Sequence, residues 1–228
     1  MSQLDEDYYV EHGLSWYAAP KGFALTPGHR SEKGERYRTF DPGSAILRCF
    51  QCHSTGRLRL GPNFRIEPSE PGVHCESCHG PGADHAKAQK PIRNPGKTSA
   101  VEMNDLCGAC HRKSAAAGEN TDWTNPWNTR HQPLYLAQSA CFLKSEGRLS
   151  CTSCHPAHAP MTQTASEYGQ VCAGCHAKPA HASPIPAGST CVGCHMPDAA
   201  PQPNLRFANH WIGVYEKGET LRPKARRP

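Results

Sequence analysis

Cys151-Thr152-Ser153-Cys154-His155 is a Cys-x-x-Cys-His unit, and the chain holds five more. They are Cys49-Phe50-Gln51-Cys52-His53, Cys75-Glu76-Ser77-Cys78-His79, Cys107-Gly108-Ala109-Cys110-His111, Cys172-Ala173-Gly174-Cys175-His176 and Cys191-Val192-Gly193-Cys194-His195. This spacing is the signature of c-type haem attachment. Thiols at i and i+3 bond the two vinyl groups along one haem edge, and the adjacent histidine supplies the proximal iron ligand. The sequence therefore predicts six haem c groups. Attachment falls to Cys49, Cys52, Cys75, Cys78, Cys107, Cys110, Cys151, Cys154, Cys172, Cys175, Cys191 and Cys194. The proximal ligands are His53, His79, His111, His155, His176 and His195.

The competing readings of a Cys-x-x-Cys pair are a redox dithiol or half of a zinc site. Zinc sites would use twelve thiolates in three clusters and leave unexplained the six histidines that follow the second cysteines. Six dithiols would lack partners. Of the 13 cysteines only Cys141 stands outside the pattern. Between Ala140 and Phe142 it reads as a small buried hydrophobe rather than as an iron ligand.

Composition agrees with a cofactor-rich interior. Hydrophobic residues make up 37% of the 228-residue chain, while Gly and Pro number 20 and 21. A core built from protein alone would be thin. With about 38 residues of chain for each unit, no haem lies far from another. The fold class expected is mostly irregular with short α-helices, organised around a chain of closely packed haems. The haem-free chain is expected to fold poorly, because ligation and folding are coupled.

The formal charge of the polypeptide is +5. A ferric bis-histidine haem with ionised propionates contributes about −1, so six of them bring the whole near about −1. The basic composition is thus no argument for nucleic acid. Residues 1–11 hold Asp5, Glu6, Asp7 and Glu11, whereas Lys217, Arg222, Lys224, Arg226 and Arg227 crowd the other end. Opposite-signed ends suit head-to-tail association in a homo-oligomer or filament, although two solvated termini are the plainer reading. The sequence has no apolar run long enough to form a transmembrane segment. No secretory leader stands at Met1. Haem attachment of this kind takes place outside the cytoplasm. The expected location is therefore periplasmic or extracellular, with a leader absent from this numbering.

Along the chain, residues 1–45 form a haem-free arm with Tyr8, Tyr9, Trp16, Tyr17 and Phe23, read as extended or as short strands. Asp41 and Pro42 suit a helix start ahead of Cys49. Residues 54–74 are turn-rich. Ser99-x-x-Glu102 and Thr164-x-x-Glu167 are capping boxes opening helices that run into Cys107 and Cys172. Leu134 to Leu143 looks helical, ending near Gly147. Residues 177–190 form a loop, and beyond Pro197 the chain is extended apart from 207–215. The organisation expected is an arm over 1–45, a hexahaem domain over 46–215 and a basic tail over 216–228.

The chain has 14 histidines, which leaves eight beyond the proximal six. The candidate distal ligands are His85, His158, His181, His210, His131, His29 and His12. His158 lies too close to His155 to cross its own macrocycle and is expected to reach a neighbouring iron. His29 and His12 compete for a remaining iron or ligate a haem of a neighbouring subunit. His74 directly precedes Cys75, so its reach is poor.

Several of these segments resemble the cytochrome c-554-type multihaem family. Gly72-Val73-His74-Cys75-Glu76-Ser77-Cys78-His79-Gly80-Pro81-Gly82 through His85 is similar to that family's second-haem segment. Segments 139–158, 181–197 and Asn209-His210-Trp211-Ile212 are similar to three others. The resemblance covers roughly residues 40–215 and implies that His85, His158, His181 and His210 are distal ligands. Relatives often carry a further haem unit upstream of the arm, and none stands here.

Irons with both axial positions filled by histidine pass electrons and do not bind a substrate. The function expected is electron transfer with redox partner proteins or other multihaem cytochromes. The protein acts either as a carrier or as a subunit of a polymeric wire. The alternative is a reductase or oxidase of small nitrogen or sulfur compounds, which needs one open iron.

Overall fold

The computed structural model describes residues 2–5, 8–27, 37–38, 46–61, 66–113, 121–159, 161, 164–181 and 184–225. They fall into two compact units, Met1–Pro95 and Gly96–Pro228. The first holds two of the Cys-x-x-Cys-His units and the second holds four. Helices are short, the longest being 12 residues, as a chain punctuated by Gly and Pro dictates. Among the described residues no helix is long and apolar enough to cross a membrane.

In the first unit, strands β1 (Ser2–Asp5), β2 (Tyr8–His12) and β5 (Tyr37–Arg38) form an antiparallel sheet in the order β1-β2-β5. Strands β3 (Leu14–Tyr17) and β4 (Gly22–Leu25) form a hairpin with Trp16 opposite Phe23. The two rings meet edge to face at 5.1 Å, a favourable cross-strand arrangement. The Thr26 hydroxyl donates to the His12 carbonyl at 2.7 Å and closes the hairpin base. The arm is thus built of short strands, as expected. The helix start assigned to Asp41 and Pro42 lies outside the described residues.

Helix α1 (Ile46–His53) leads into strands β6 (Ser54–Leu60) and β7 (Ile66–Pro71). The sequence suggested only turns over 54–74, and the structure forms an antiparallel hairpin there instead. The reason is a small apolar nucleus. Phe50 and Ile66 are buried, with Leu47 and Leu58 packed against them. Pairing β6 with β7 removes this surface from water. Beyond the hairpin, α2 (Cys75–His79) is pinned through Thr55. The buried Thr55 hydroxyl donates to the Gly72 carbonyl at 2.7 Å and accepts from the His74 amide at 2.8 Å. Helix α3 (Ala83–Ala88) follows a Gly-Pro-Gly turn.

The second unit opens with α4 (Ala100–His111) and continues through α5 (Gln132–Leu136), α6 (Ala140–Lys144), α7 (Cys151–Cys154), α8 (Ala165–Ala173) and α9 (Cys191–His195). Both capping boxes form. The Ser99 hydroxyl accepts from the Glu102 amide at 3.2 Å, and the Thr164 hydroxyl accepts from the Glu167 amide at 3.3 Å. The single helix read over Leu134–Leu143 is two. It breaks at Ser139, whose fully buried hydroxyl donates to the His210 carbonyl at 2.9 Å and accepts from the Ile212 amide at 2.8 Å. Leu134 and Tyr135 are fully buried, and Trp123 lies edge-on to both Tyr135 and Trp211 at 5.1 Å.

Strands β8 (Asp198–Gln202) and β9 (Leu205–Ala208) pair as a hairpin. Residues 209–214 then carry no helix. Residues 216–225 turn back over them. Asn209 donates to the Thr220 and Leu221 carbonyls, and the Lys224 amide donates to the Val214 carbonyl at 2.7 Å. A Cβ on Gly213 would lie 2.6 Å from the Pro223 ring, so only glycine allows this close return. Ala199 is fully buried, and the apolar residues buried in either unit are few.

Candidate haem-binding sites

Each Cys-x-x-Cys-His unit sits on a helical turn. Four lie within or end α1, α2, α4 and α9, α7 holds both cysteines of the Cys151 unit with His155 extended just after it, and the sixth unit begins in the last turn of α8. Helical spacing sets residues i and i+3 on one face, so both thiols of a unit present together beside the following imidazole. None of the 13 cysteines is in a disulfide. Among the described residues no three or more His, Cys, Asp or Glu converge as a cluster able to hold a bare metal ion.

The hydrogen bonds of the imidazoles test whether these residues suit a haem iron. A histidine that ligates through Nε2 carries its proton on Nδ1 and needs an acceptor there. The His79 Nδ1–H donates to the Arg93 carbonyl at 2.9 Å, and that of His85 to the Lys90 carbonyl at 2.8 Å. The His195 group donates to the Gly213 carbonyl at 2.8 Å, and that of His210 to the Ala208 carbonyl at 2.9 Å. The His111 group donates to Gln132 Oε1 at 3.0 Å, and His155 Nδ1 lies 3.2 Å from the Tyr168 hydroxyl. In all six the bonded atom is Nδ1. In the five whose partner is an amide oxygen the lone pair then falls on Nε2, the arrangement an iron ligand requires, whereas the Tyr168 hydroxyl is able to donate to or accept from His155. His74 is the opposite case. Its Nε2 is bonded to the Pro71 carbonyl at 2.8 Å, with the Glu70 carboxylate at 3.6 Å.

Two imidazole pairs lie close together in the second unit. His155 and His210 have ring centroids 6.2 Å apart, and so do His181 and His195. Two metal–imidazole bonds of about 2.0–2.1 Å plus the two ring radii come to roughly 6.3 Å. Each pair is therefore spaced for one iron. The electrostatics agree. Burial, offset in part by the Ala208 carbonyl, pushes His210 down to about 4. Burial lowers His155 as well, with the neighbouring His111 adding to it. His131 is pushed down to about 4 by burial and by the nearby Arg130 and Arg112 cations. These side chains are neutral near pH 7, the form that binds metal.

Four of the attachment units in this half follow one another in space. Helix α4 packs on α7, α7 on α8 and α8 on α9. The Cys107 and Cys151 thiols are hydrogen bonded, which draws Cys107 down to about 7 and pushes Cys151 up. Asn104 fixes this junction, because its Oδ1 accepts from the Cys151 amide at 2.8 Å. Burial raises Cys154 and Cys172, and the field of Cys141 adds to the rise at both, with Cys172 adding to it at Cys154. Cys191 adds to the rise at Cys172. Cys141 is half-buried between these units.

The other candidates are spread over both units. His53 closes α1 and accepts from the Gly72 amide through its carbonyl. His176 is exposed after α8, and His158 is exposed after α7. His131 is half-buried before α5, with Nδ1 buried and lacking a hydrogen-bond partner. His12 is half-buried at the end of β2, and His29 lies outside the described residues. The acceptors on Nδ1 went unnoticed in the sequence, because Arg93, Lys90, Gly213 and Ala208 contribute only backbone carbonyls. Gln132 and Tyr168 are side-chain partners brought in by tertiary packing. Asn209 had a local signal, since an Asn before His210 suits the turn in which its Oδ1 accepts from the Trp211 amide at 2.9 Å.

Comparison with known proteins supports a multihaem c-type cytochrome. Residues 15–80 match the family profile described as cytochrome c554 and c-prime. The chain is 27% identical over 143 residues to the multiheme cytochrome MtrA of Shewanella baltica (strain OS185), covering 57% of this chain and 37% of that protein. It is 30% identical over 108 residues to cytochrome c-554 of Nitrosomonas europaea (strain ATCC 19718), covering 39% of this chain and 45% of that protein. It thus spans less than half the length of either relative. No solved structure matches. The chain is a multihaem c-type cytochrome that resembles the cytochrome c-554 family.

Proposed function

We propose that this protein holds six haem c groups and transfers electrons through them outside the cytoplasm. The observation that carries the reading is the arrangement of imidazoles. Six have Nδ1 engaged, and two pairs have ring centroids 6.2 Å apart, a spacing compatible with one iron for each pair. In this reading the twelve paired cysteines anchor the haems, and His53, His79, His111, His155, His176 and His195 are the proximal ligands. His210 completes the iron of His155, and His181 completes that of His195. His85, His131, His158, His12 and His29 are the candidates for the remaining axial positions. Bound haem supplies a one-electron iron couple. The chain fixes spacing, closes both axial sites against substrate and sets the charge around each site.

The succession α4, α7, α8 and α9 favours a relay over isolated carriers, because neighbouring attachment turns touch. Partners are then redox proteins or other multihaem cytochromes. The exposed Leu14, Trp16 and Phe23 of the β3–β4 hairpin suit the role of a polymeric wire subunit. Carbon monoxide added to the reduced native protein provides the test. A carrier with closed axial sites leaves the absorption spectrum unchanged. Stoichiometric binding at one haem would contradict this and make the protein a reductase or oxidase with an open iron.

A further inference from the structure

We propose that Tyr168 tunes the iron couple at the Cys151–His155 attachment through its hydroxyl beside His155 Nδ1. The inference rests on the reading that this unit binds haem through His155 Nε2. Nδ1–H then donates to the Tyr168 oxygen, 3.2 Å away, while the tyrosine ring stands edge-on to the imidazole with centroids 5.4 Å apart.

This contact differs from the others. Five of the six described Nδ1 bonds end on amide carbonyl oxygens, at 2.8–3.0 Å. The bond of His155 ends on a phenol and is the longest. A phenol oxygen accepts less strongly than an amide carbonyl, and a hydrogen bond weakens with length. Drawing the Nδ1 proton toward an acceptor gives an imidazole anionic character. That raises its donation to iron and favours the ferric state. Tyr168 therefore supplies a mild pull on the ferric side, weaker than the pull that the Gly213 carbonyl exerts on His195.

The placement links neighbouring sites. Tyr168 lies on α8 four residues before Cys172, so the helix that carries the fifth attachment reaches back to the ligand of the fourth. The Thr164–Glu167 capping box fixes the start of that helix, and the Tyr168 amide donates to the Thr164 carbonyl at 3.1 Å. Tyr168 is thus a positioning residue that acts on the iron through His155.

The test is potentiometric titration of the fully loaded protein and of Tyr168→Phe, followed optically and by electron paramagnetic resonance. Phenylalanine keeps the ring contact and removes only the acceptor. One couple shifts toward the reduced form by about three- to tenfold in its equilibrium constant, tenfold being ~59 mV for one electron. The low-spin signal of one haem moves, and the other couples stay in place. Tyr168→Met also lacks the hydroxyl and shifts the same couple the same way. Unchanged potentials in a fully loaded variant would overturn the proposal. Loss of haem from the Cys151 unit in both variants would also overturn it, since Tyr168 would then serve attachment and not tuning. Peptide mass spectrometry of the unsubstituted protein separates the underlying reading. A haem-free 148–158 peptide there would sink the haem assignment itself.

Discussion

At the scale of the residue, the chemistry is carried by which imidazole nitrogen is free. His74 and His85 flank the same attachment turn, yet only His85 has Nδ1 bonded and Nε2 left over. His74→Ala is expected to leave every haem low-spin and to lower stability by about 1 kcal/mol, the usual worth of a hydrogen bond. Electron paramagnetic resonance and thermal unfolding check the two halves of that statement. His210→Gly is expected to act oppositely. It opens one axial position, giving one high-spin iron that binds carbon monoxide when reduced. A variant whose irons all remain low-spin would remove His210 from the ligand set. The Cys-x-x-Cys-His spacing was legible because covalent attachment demands it, and the roles proposed for its cysteines and histidines rest on that spacing. The partners of Nδ1 were not, because a backbone carbonyl has no residue identity. The pairing of His155 with His210 spans 55 positions of sequence, and only the folded chain brings these rings together.

At the scale of the element, local signals were sound where a side chain and an adjacent backbone group satisfy each other. The Ser99 and Thr164 boxes are of this kind. Thr164→Ala is expected to cost about 1 kcal/mol and to loosen α8, which carries both Tyr168 and Cys172. Hydrogen exchange along α8 measures it. Acid acts on the same cap. The backbone and hydroxyl of Thr164 hold the Glu167 carboxyl below its ordinary 4.5. A carboxyl depressed in the folded state stabilises fully above the unfolded value and loses that contribution as pH falls through the folded one. Protection of α8 is therefore expected to be flat above pH 4.5 and to decline below it. The β6–β7 hairpin escaped the sequence reading because its cause is tertiary. Phe50 from α1 and Ile66 from β7 bury together, and that contact selects strands in a stretch whose prolines and glycines spell turns. The break between α5 and α6 has the same origin. Ser139 gives its hydroxyl to the 210–212 segment, a partner 71 residues away.

At the scale of the whole molecule, few apolar side chains are buried among the described residues. Phe50, Ile66 and Pro95 in the first unit, and Met103, Pro133, Leu134, Tyr135, Leu136 and Ala199 in the second, are buried. In the proposed reading haem supplies the apolar mass that such a composition calls for, and its attachment is coupled to folding. Composition alone pointed to this thin core, and the structure bears it out. The opposite charges at the two ends do not enter the account in the same way. The side chains of residues 1–11 and those of Arg226 and Arg227 lie outside the described residues, and Lys224 is paired with Glu216 at 2.8 Å. The central claim is the haem complement. Intact mass spectrometry of the protein produced with its haem-attachment machinery tests it most directly. A polypeptide heavier by six haems, one on each peptide bearing a Cys-x-x-Cys-His unit, is the predicted result. Fewer haems, or zinc in their place, would contradict it.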